Sequence, residues 1–274
     1  MRADVFLASG GYAPSREQAK RLILEGLVTV DGKPLRRAAE EIGEGAHTVT
    51  VSGPERFVSR GGNKLEAAFA AFGLNPSGWR ALDIGASTGG FTDCLLRHGV
   101  AEVVAVDSGA GQLAEALRGD PRVRSREHCN ARDLTAETIG GRVRLIVMDV
   151  SFISATLILP RFPALLESVG DAVCLIKPQF EVGRANIGKG GIVRDPRAHR
   201  LAVDRVLDCA SALGLCAAGL IPSPILGGDG NREFLVRLTV GQTFPPLTAK
   251  QVAAVTANAA KGDGYAENCV GNKL

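Results

Sequence analysis

The segment Ala81–Thr92, which reads ALDIGASTGGFT, decides the fold of this chain of 274 residues. Its first residues suit a buried strand, and the turn that follows holds Gly85, Gly89 and Gly90 before a helical pattern begins. In open parallel sheets, ligands bind at such a turn between the first strand and the next helix. The spacing, Asp-x-Gly-x-x-x-Gly-Gly, matches neither the Gly-x-Gly-x-x-Gly of dinucleotide-binding enzymes nor a P-loop.

Beyond this segment, short apolar strands alternate with helical stretches. Several of the strands are continuous apolar runs, which is typical of parallel strands covered on both faces. The alternation therefore predicts a doubly wound α/β sheet. The last strand follows its predecessor without room for a helix, so we expect it to run antiparallel to its neighbours. The predicted strands are 80–84, 102–107, 123–127, 143–149, 171–177, 215–221 and 233–240.

The N-terminal part has a different pattern, that of a small α+β domain. Ser15 and Gln18 fit a capping box at the start of a helix. A short strand follows, and then a tight turn at Asp31-Gly32. The sequence therefore predicts a separate domain over residues 1–51.

A break in the pattern separates this domain from a larger one. Ser52-Gly53-Pro54 interrupts the chain, and a helical pattern starts at Asn63. The C-terminal residues are polar and show no periodicity, so we expect a flexible tail. The predicted ranges are 52–62 for an interdomain linker, 63–261 for the large domain and 262–274 for the tail.

Charge balance and cysteine usage narrow the class of protein. The chain has 32 basic and 29 acidic residues, and a net charge of +3 is too weak to indicate a partner by itself. Its six cysteines form no CxxC pair, so we predict no metal site and reduced thiols in the cytoplasm. No apolar run approaches the roughly 18 residues needed to span a bilayer, and no signal peptide is evident. We expect a cytoplasmic protein without a membrane partner.

Asp107 closes the second predicted strand, 22 residues after Gly85. A carboxylate at this position can accept hydrogen bonds from both hydroxyls of a ribose. Together with the glycine-rich turn, Asp107 predicts a cofactor that contains a nucleoside.

Charged residues end the next strands of the predicted sheet. Asp149 ends the fourth strand and Lys177 the fifth, so both lie at the edge that carries the glycine-rich turn. Lys64 lies on the helix that leads into the sheet, and Glu233 begins the last strand. Each of these residues alone could be an ordinary solvated charge at the end of a strand. Four at one edge indicate a catalytic group whose opposite charges stabilise one another.

The N-terminal domain collects basic residues on one helix face and just after the tight turn. Such residues can contact a phosphate backbone. Because residues 1–58 hold eight basic and eight acidic side chains, a solvated surface is the alternative. The candidate phosphate contacts are Arg16, Lys20, Arg21, Lys33, Arg36 and Arg37.

The N-terminal pattern also resembles the RNA-binding module of ribosomal protein S4, over about residues 1–51. This resemblance implies that the domain binds RNA. The residues that carry it are Arg2-Ala3-Asp4, Leu7, Ser15-Arg16, Ala19, Leu22-Ile23, Gly26, Val28, Val30 and Gly32.

The glycine-rich turn resembles the first motif of the S-adenosylmethionine-dependent methyltransferases. This resemblance implies a Rossmann-like class I methyltransferase sheet and S-adenosyl-L-methionine rather than NAD as the cofactor. Asn130, just after the third strand, is where that superfamily usually contacts the adenine. The implied cofactor-binding residues are Asp83, Gly85, Ala86, Ser87, Thr88, Gly89, Gly90, Phe91, Asp107, Asn130 and Asp149.

Lys64, Asp149, Lys177 and Glu233 resemble the Lys-Asp-Lys-Glu tetrad of ribose 2′-O-methyltransferases. The segment that begins at Asp149 reads DVSF and lacks the two prolines of enzymes that methylate base amines. Our hypothesis is that Lys177 is the general base and that Asp149 orients it. Lys64 and Glu233 would hold the hydroxyl and Lys177 in line. If Lys177 stays protonated, it would instead position the nucleophile while the proton leaves late.

Nearly the whole chain resembles the TlyA (haemolysin A) family of ribosomal RNA methyltransferases, including the junction Ser59–Leu65 and the segment Lys189–Pro196. The family implies 2′-O-methylation of a cytidine in large-subunit ribosomal RNA, and in some members in small-subunit RNA. The target nucleotide must be unstacked to reach the cofactor. Further RNA contacts would be Arg60, Lys189 and Arg194.

Three other functions remain open at this stage. A methyltransferase for a small molecule would be active without RNA. A non-catalytic RNA-binding or ribosome assembly factor would keep its function without the tetrad. A pore-forming haemolysin would need a membrane-active segment, and the sequence offers none that we recognise.

Overall fold

The computed structural model describes residues 1–24, 26–43, 45, 47–51, 56–258 and 270–271. The chain divides into two compact units, Met1–Arg56 and Phe57–Leu274. Each unit has a hydrophobic core of its own.

The small unit packs two helices on a short antiparallel sheet. The hydroxyl of Ser15 accepts a hydrogen bond from the backbone N–H of Gln18 at 3.2 Å, which confirms the predicted helix start. Asp31 and Gly32 have φ angles of 52° and 74°, as a two-residue hairpin turn requires. The elements are α1 (Ala3–Ser9), α2 (Arg16–Leu24), β1 (Val28–Val30), β2 (Lys33–Pro34) and β3 (Val49–Val51), with strand order β2-β1-β3.

The large unit is built on one sheet with the order β11-β9-β10-β8-β7-β4-β5-β6. The neighbouring strands β8, β7, β4, β5 and β6 are all parallel. Strand β10 runs antiparallel to both β8 and β9. The predicted α/β fold with an antiparallel last main strand is therefore confirmed. The strands are β4 (Arg80–Ile84), β5 (Glu102–Val106), β6 (Val123–Arg126), β7 (Val143–Met148), β8 (Leu166–Ile176), β9 (Cys216–Pro222), β10 (Phe234–Val240) and β11 (Val270–Gly271).

Helices cover both faces of this sheet, and its central strands β4, β5 and β7 are accordingly apolar and buried. Leu82 and Ile84 belong to the core cluster that α8 and α9 complete, whereas Ala81 belongs to the cluster of α3 and α4. The helices are α3 (Gly61–Phe72), α4 (Gly90–Arg97), α5 (Glu115–Arg118), α6 (Phe162–Leu165), α7 (Pro178–Glu181), α8 (Pro196–Ala212) and α9 (Ala249–Asn258).

The structure differs from the predicted boundaries by more than one residue at three places. Strand β8 begins at Leu166, five residues before the predicted strand. Of the predicted linker 52–62, residues 52–55 lie outside the described residues, while Phe57 is buried in the core of the large unit and α3 begins at Gly61. The predicted tail 262–274 lies outside the described residues except for β11, which pairs with β9. The domain boundaries themselves stay a prediction.

Candidate active site

The glycine-rich turn joins β4 to α4 and runs close to the end of β7. Gly85 has a φ of 85°, in the left-handed region that side chains disfavour. A Cβ atom at this position would also lie 2.5 Å from the carbonyl oxygen of Asp149. Gly85 thus lets the turn pass directly beside Asp149, the residue that follows β7.

A cavity of about 590 Å³ opens at this edge of the sheet. Its volume lies within the range of roughly 300–1,000 Å³ that is usual for small-molecule sites. The lining residues come from the ends of β4 and β5 and from the segments that follow β4, β5, β6 and β7. They are Ile84, Gly85, Ser87, Val106, Asp107, Ser108, Gln112, Cys129, Asn130, Ala131, Arg132, Asp149, Val150, Ser151, Phe152, Ile153 and Ile158.

Asp107 is held in a fixed position at the wall of this cavity. Its Oδ2 accepts a hydrogen bond from the backbone N–H of Ser87 at 2.8 Å, and its Oδ1 accepts one from Gly109 at 2.7 Å. A carboxylate offers about four acceptor sites, so each oxygen keeps one for a ligand. This geometry suits two neighbouring hydroxyls of a ribose.

Asp83 lies in a different environment, fully buried within β4. The hydroxyl of Thr92 donates a hydrogen bond to its Oδ2 at 2.7 Å, while its Oδ1 has no hydrogen-bond partner among the described residues. Burial, helped by the nearby charge of Asp149, raises the pKa of Asp83 to about 7. Asp83 therefore ties β4 to α4 through Thr92 and does not line the cavity.

The predicted cofactor residues fall into two groups. Gly85, Ser87, Asp107, Asn130 and Asp149 line the cavity. The others support the turn or continue into α4, and Ala86 lines a small neighbouring cavity. The residues that do not line the main cavity are Asp83, Ala86, Thr88, Gly89, Gly90 and Phe91.

Gln112 is a lining residue that sequence reasoning missed. Its side-chain Oε1 accepts a hydrogen bond from the hydroxyl of Ser87 at 3.1 Å, which ties the turn to the segment before α5. No motif surrounds Gln112 in the sequence, so no local signal indicated this contact.

The four charged residues at the sheet edge form a continuous chain of ion pairs. Lys64 Nζ lies 2.7 Å from Glu233 Oε2 and 3.7 Å from Asp149 Oδ2. Lys177 Nζ lies 2.6 Å from Asp149 Oδ1. The order Glu233–Lys64–Asp149–Lys177 alternates in sign, so each inner charge has an opposite charge on both sides. We call these four residues the tetrad.

The tetrad is poorly accessible to water. The exposed fraction of the side chain is 2% for Glu233, 10% for Lys64 and 11% for Lys177. Charges in such positions are costly unless they are paired, and the alternation provides the pairing. The antiparallel direction of β10 explains the arrangement, because Phe234 is in register with Ile176 and Glu233 therefore meets the carboxyl end of β8.

Ser151 is a further contact of this group that the sequence analysis did not single out. Its hydroxyl accepts a hydrogen bond from Lys177 Nζ at 2.8 Å. An ammonium group has three donors. Ser151 takes one of these donors, and the carboxylate of Asp149 lies at 2.6 Å as an ion pair. A substrate hydroxyl can take a remaining donor.

An aromatic ring stands at the rim of the cavity. Phe152 exposes 92% of its surface and has a positive φ of 65°. Its ring centroid lies 5.4 Å from that of Phe180. A large apolar side chain this exposed, in a backbone conformation that costs energy, is typical of a binding surface.

The predicted RNA contacts are all exposed, and some of them have protein partners. Arg16 Nη2 lies 3.1 Å from Asp4 Oδ2 in the small unit. Arg60 donates a hydrogen bond to the carbonyl oxygen of Leu226 in the large unit at 3.1 Å. The exposed candidates are Arg16, Lys20, Arg21, Lys33, Arg36, Arg37, Arg60, Lys189 and Arg194.

A groove of about 710 Å³ runs along α2 in the small unit. Lys20 and Arg21 line it together with Ser15, Gln18, the exposed Leu24 and one acidic residue, Glu17. Basic, polar and apolar side chains along one helix provide both phosphate contacts and a surface for a nucleoside.

Within the described ranges, no helix has the length and apolar character needed to cross a membrane.

Comparison with known proteins gives matches over both units. The sequence model of the FtsJ-like methyltransferases matches residues 57–240, and that of the S4 domain matches residues 1–47. Together they cover most of the described chain.

Three relatives illustrate the similarity. The 16S/23S rRNA (cytidine-2′-O)-methyltransferase TlyA of Mycobacterium tuberculosis is 46% identical, over 91% of this chain and 93% of its own. Hemolysin A of Brachyspira hyodysenteriae is 42% identical, over 88% of this chain and 100% of its own. A solved structure from Streptococcus thermophilus, named as a hemolysin, is 42% identical with a TM-score of 0.75, over 95% of this chain and 96% of its own.

Proposed function

The chain belongs to the FtsJ-like methyltransferase family, and we propose that it transfers a methyl group from S-adenosylmethionine to the 2′-hydroxyl of a cytidine in ribosomal RNA. The tetrad beside the cavity is the observation that carries this proposal. A ribose hydroxyl must lose its proton as it attacks the methyl group. The tetrad holds an amine, that of Lys177, where this proton can be received.

The residues of the cavity fit S-adenosylmethionine. Asp107 has acceptor sites left for the two ribose hydroxyls, and Asn130 lines the cavity where it can reach the adenine. The turn at Gly85 brings backbone rather than side chains to the cavity wall. When bound, S-adenosylmethionine supplies a methyl group that a positively charged sulfur makes electrophilic.

The tetrad residues take different roles in this proposal. Lys177 receives the proton of the hydroxyl, or holds the hydroxyl in place if the amine is already charged. Asp149, 2.6 Å away, orients the amine, and the hydroxyl of Ser151 restricts it further. Lys64, between Glu233 and Asp149, fixes the carboxylate of Asp149 from the other side.

Two features favour RNA over a small molecule as the substrate. The S4 domain presents exposed basic residues that suit a phosphate backbone. Phe152 exposes a ring beside the cavity, on which an unstacked base can stack. The mycobacterial relative is named for cytidine in 16S and 23S rRNA, and we extend that substrate to this chain. A ribosomal substrate makes the cytoplasm the proposed location.

Transfer of labelled methyl groups tests this proposal. Unmodified small and large ribosomal subunits, and the free ribosomal RNAs, are incubated with the protein and labelled S-adenosylmethionine and then digested to nucleosides. We expect label in 2′-O-methylcytidine with the wild type and none with Lys177→Ala or Asp149→Ala. Lys250→Ala, which removes an exposed lysine of α9, serves as the matched control and should keep full activity.

Each other outcome contradicts a defined part of the proposal. Label in a methylated base would contradict the role of the tetrad but keep the cofactor. Near-normal turnover with Lys177→Arg would exclude proton acceptance by Lys177. Absence of transfer to any RNA, with the cofactor still bound, would favour a small-molecule substrate or an assembly factor.

A further inference from the structure

A second cluster of reactive side chains lies where α3 packs against α4, and none of its members lines the cofactor cavity. Glu66 comes from α3, Cys94 from α4, and His98 is the residue that caps the C-terminal end of α4. Glu66 Oε2 lies 2.7 Å from His98 Nε2 and 3.8 Å from Cys94 Sγ. The three potential ligand atoms all lie within 4.8 Å of one another.

The helices explain why these side chains meet. Cys94 and His98 are four residues apart, which places them on the same face at the end of α4. The imidazole of His98 packs edge-on against Phe69 of α3, with ring centroids 5.0 Å apart. Glu66 lies one turn before Phe69 on the same helix, so the contact that orients the imidazole also brings it to the carboxylate.

The cluster has a buried end and an accessible end. Cys94 is fully buried, whereas the side chains of Glu66 and His98 are each 29% exposed. An ion from solvent can therefore reach the carboxylate and the imidazole first and the sulfur last.

We propose that Glu66, Cys94 and His98 bind one divalent transition-metal ion, with zinc as the preferred metal and water as the fourth ligand. Thiolate, imidazole and carboxylate are all zinc ligands, and a sulfur donor disfavours magnesium and calcium. With bonds of roughly 2.0–2.3 Å, tetrahedral ligands lie about 3.3–3.8 Å apart. The distances in the cluster need only small side-chain rotations to reach this geometry.

The protons balance as follows. The thiol of Cys94 loses its proton to solvent. His98 Nε2 gives up the proton that it donates to Glu66, either to solvent or, by exchange through water, to Nδ1 of the same ring, so that its lone pair can bind the ion. The hydrogen bond between His98 and Glu66 is replaced by two bonds to the metal. The two negative charges of the carboxylate and the thiolate then neutralise the charge of the ion.

Such an ion would join two helices that serve the active site. Lys64 of the tetrad precedes Glu66 on α3 by two residues, and α4 begins at Gly90, directly after the glycine-rich turn. The ion would therefore stabilise the large unit and hold these helices together, without contacting the cofactor or the reacting hydroxyl.

This cluster was not predicted from the sequence, because the cysteines of the chain form no CxxC pair. The local signal for this cluster is a cysteine and a histidine four residues apart at the end of a helix. The third ligand lies 28 residues earlier on another helix, and only the packing of α3 on α4 brings it into the cluster.

Metal titration of the full chain tests the proposal. The protein is stripped with a chelator and titrated with zinc against a chromophoric competitor, and separately with cobalt(II), whose spectrum reports a thiolate ligand. We expect one ion per chain, and a thermal midpoint that rises by about 5 °C or more when free zinc is a hundred times its Kd. Cys94→Ser and His98→Gln should weaken binding at least a hundredfold, and Glu66→Gln at least tenfold.

Cys209→Ser is the matched control, because Cys209 is a free, partly buried cysteine outside the cluster and its loss should leave binding unchanged. Absence of stoichiometric binding would overturn the proposal. So would an unchanged affinity and thiolate band in Cys94→Ser, or their loss in Cys209→Ser. If Cys94→Ser does not fold, His98→Gln decides the question, since glutamine can still donate a hydrogen bond to Glu66.

Discussion

Basic side chains lie in opposite environments at the tetrad and on the surface of the small unit. Lys64 exposes 10% of its side chain and lies within 4 Å of two carboxylates, Glu233 and Asp149. Arg16 of the small unit exposes 62% of its side chain, although it also contacts a carboxylate, that of Asp4. The stability of a buried charge depends strongly on each of its partners, whereas an exposed ion pair contributes little to the free energy of unfolding. Single substitutions should therefore have large effects at the tetrad and small ones on the surface.

The largest effect is expected for Lys177→Ala. Loss of a residue that accepts a proton or fixes the nucleophile should lower the rate of methyl transfer about 10²–10⁴-fold. Single-turnover transfer to ribosomal subunits measures this rate, with Lys250→Ala as the control. A decrease of less than about tenfold would contradict a catalytic role for Lys177.

Asp83 should make stability depend on pH. Burial raises the pKa of its carboxyl from the ordinary value of 3.8 to about 7, so the folded state holds an additional proton between these values. The free energy of unfolding should therefore fall as pH rises from about 4 to about 7, by on the order of 4 kcal/mol from this group, and then level off. Asp83→Asn should remove this decline in urea unfolding curves. An identical pH dependence in both proteins would contradict the assignment.

Glu233→Gln tests the pairing within the tetrad. It leaves Lys64 buried with Asp149 as the remaining carboxylate, at 3.7 Å, and should lower the free energy of unfolding by about 3 kcal/mol. Asp204→Asn is the control, since its ion pair with Arg200 is about one-third exposed and its loss should cost at most about 1 kcal/mol. If both substitutions lowered the free energy of unfolding equally, buried and exposed ion pairs would not differ in how much they depend on each partner.

Phe152→Ala should affect substrate binding without affecting stability. A stacking contact with one base contributes about 1–3 kcal/mol, so KM for the ribosomal substrate should rise about tenfold or more. Thermal unfolding should be unchanged because the ring is 92% exposed. Leu201→Ala, which removes another exposed apolar side chain, should change neither quantity. Unchanged KM in Phe152→Ala would exclude base stacking there.

The smallest effect is expected for Lys20→Ala in the small unit. Removing one phosphate contact should weaken RNA binding by a small factor and lower the slope of log affinity against log salt by about one. Binding curves at several salt concentrations measure both, again with Lys250→Ala as the control. A flat salt response of the wild type would contradict phosphate binding by this surface.

The fold could be predicted because its signals are local. Most main strands are apolar runs, β6 being the exception, and the short connection between β9 and β10 leaves room for only an antiparallel pair. The tetrad could be predicted because three of its members lie at strand ends or beginnings, where the topology places them at one edge. For such residues, position in the sequence determines position in space.

Other features could not be predicted because they depend on packing between distant elements. The hydrogen bond from Lys177 to Ser151 and the contact between Ser87 and Gln112 join residues 25 or more apart without a motif. The cluster of Glu66, Cys94 and His98 could not be predicted for the same reason, because its members come from two different helices. Burial of Phe57 in the large unit likewise reflects tertiary packing rather than local pattern.

The position of β10 has a consequence for synthesis of the protein. Lys64 and Glu233 are 169 residues apart, and their ion pair forms only after β10 inserts between β8 and β9. Contacts of such long sequence separation form slowly and late. A nascent chain that contains the whole glycine-rich turn and three tetrad residues therefore still lacks the complete tetrad. The tetrad is complete only when almost the entire large unit has left the ribosome, the particle that also carries the proposed substrate.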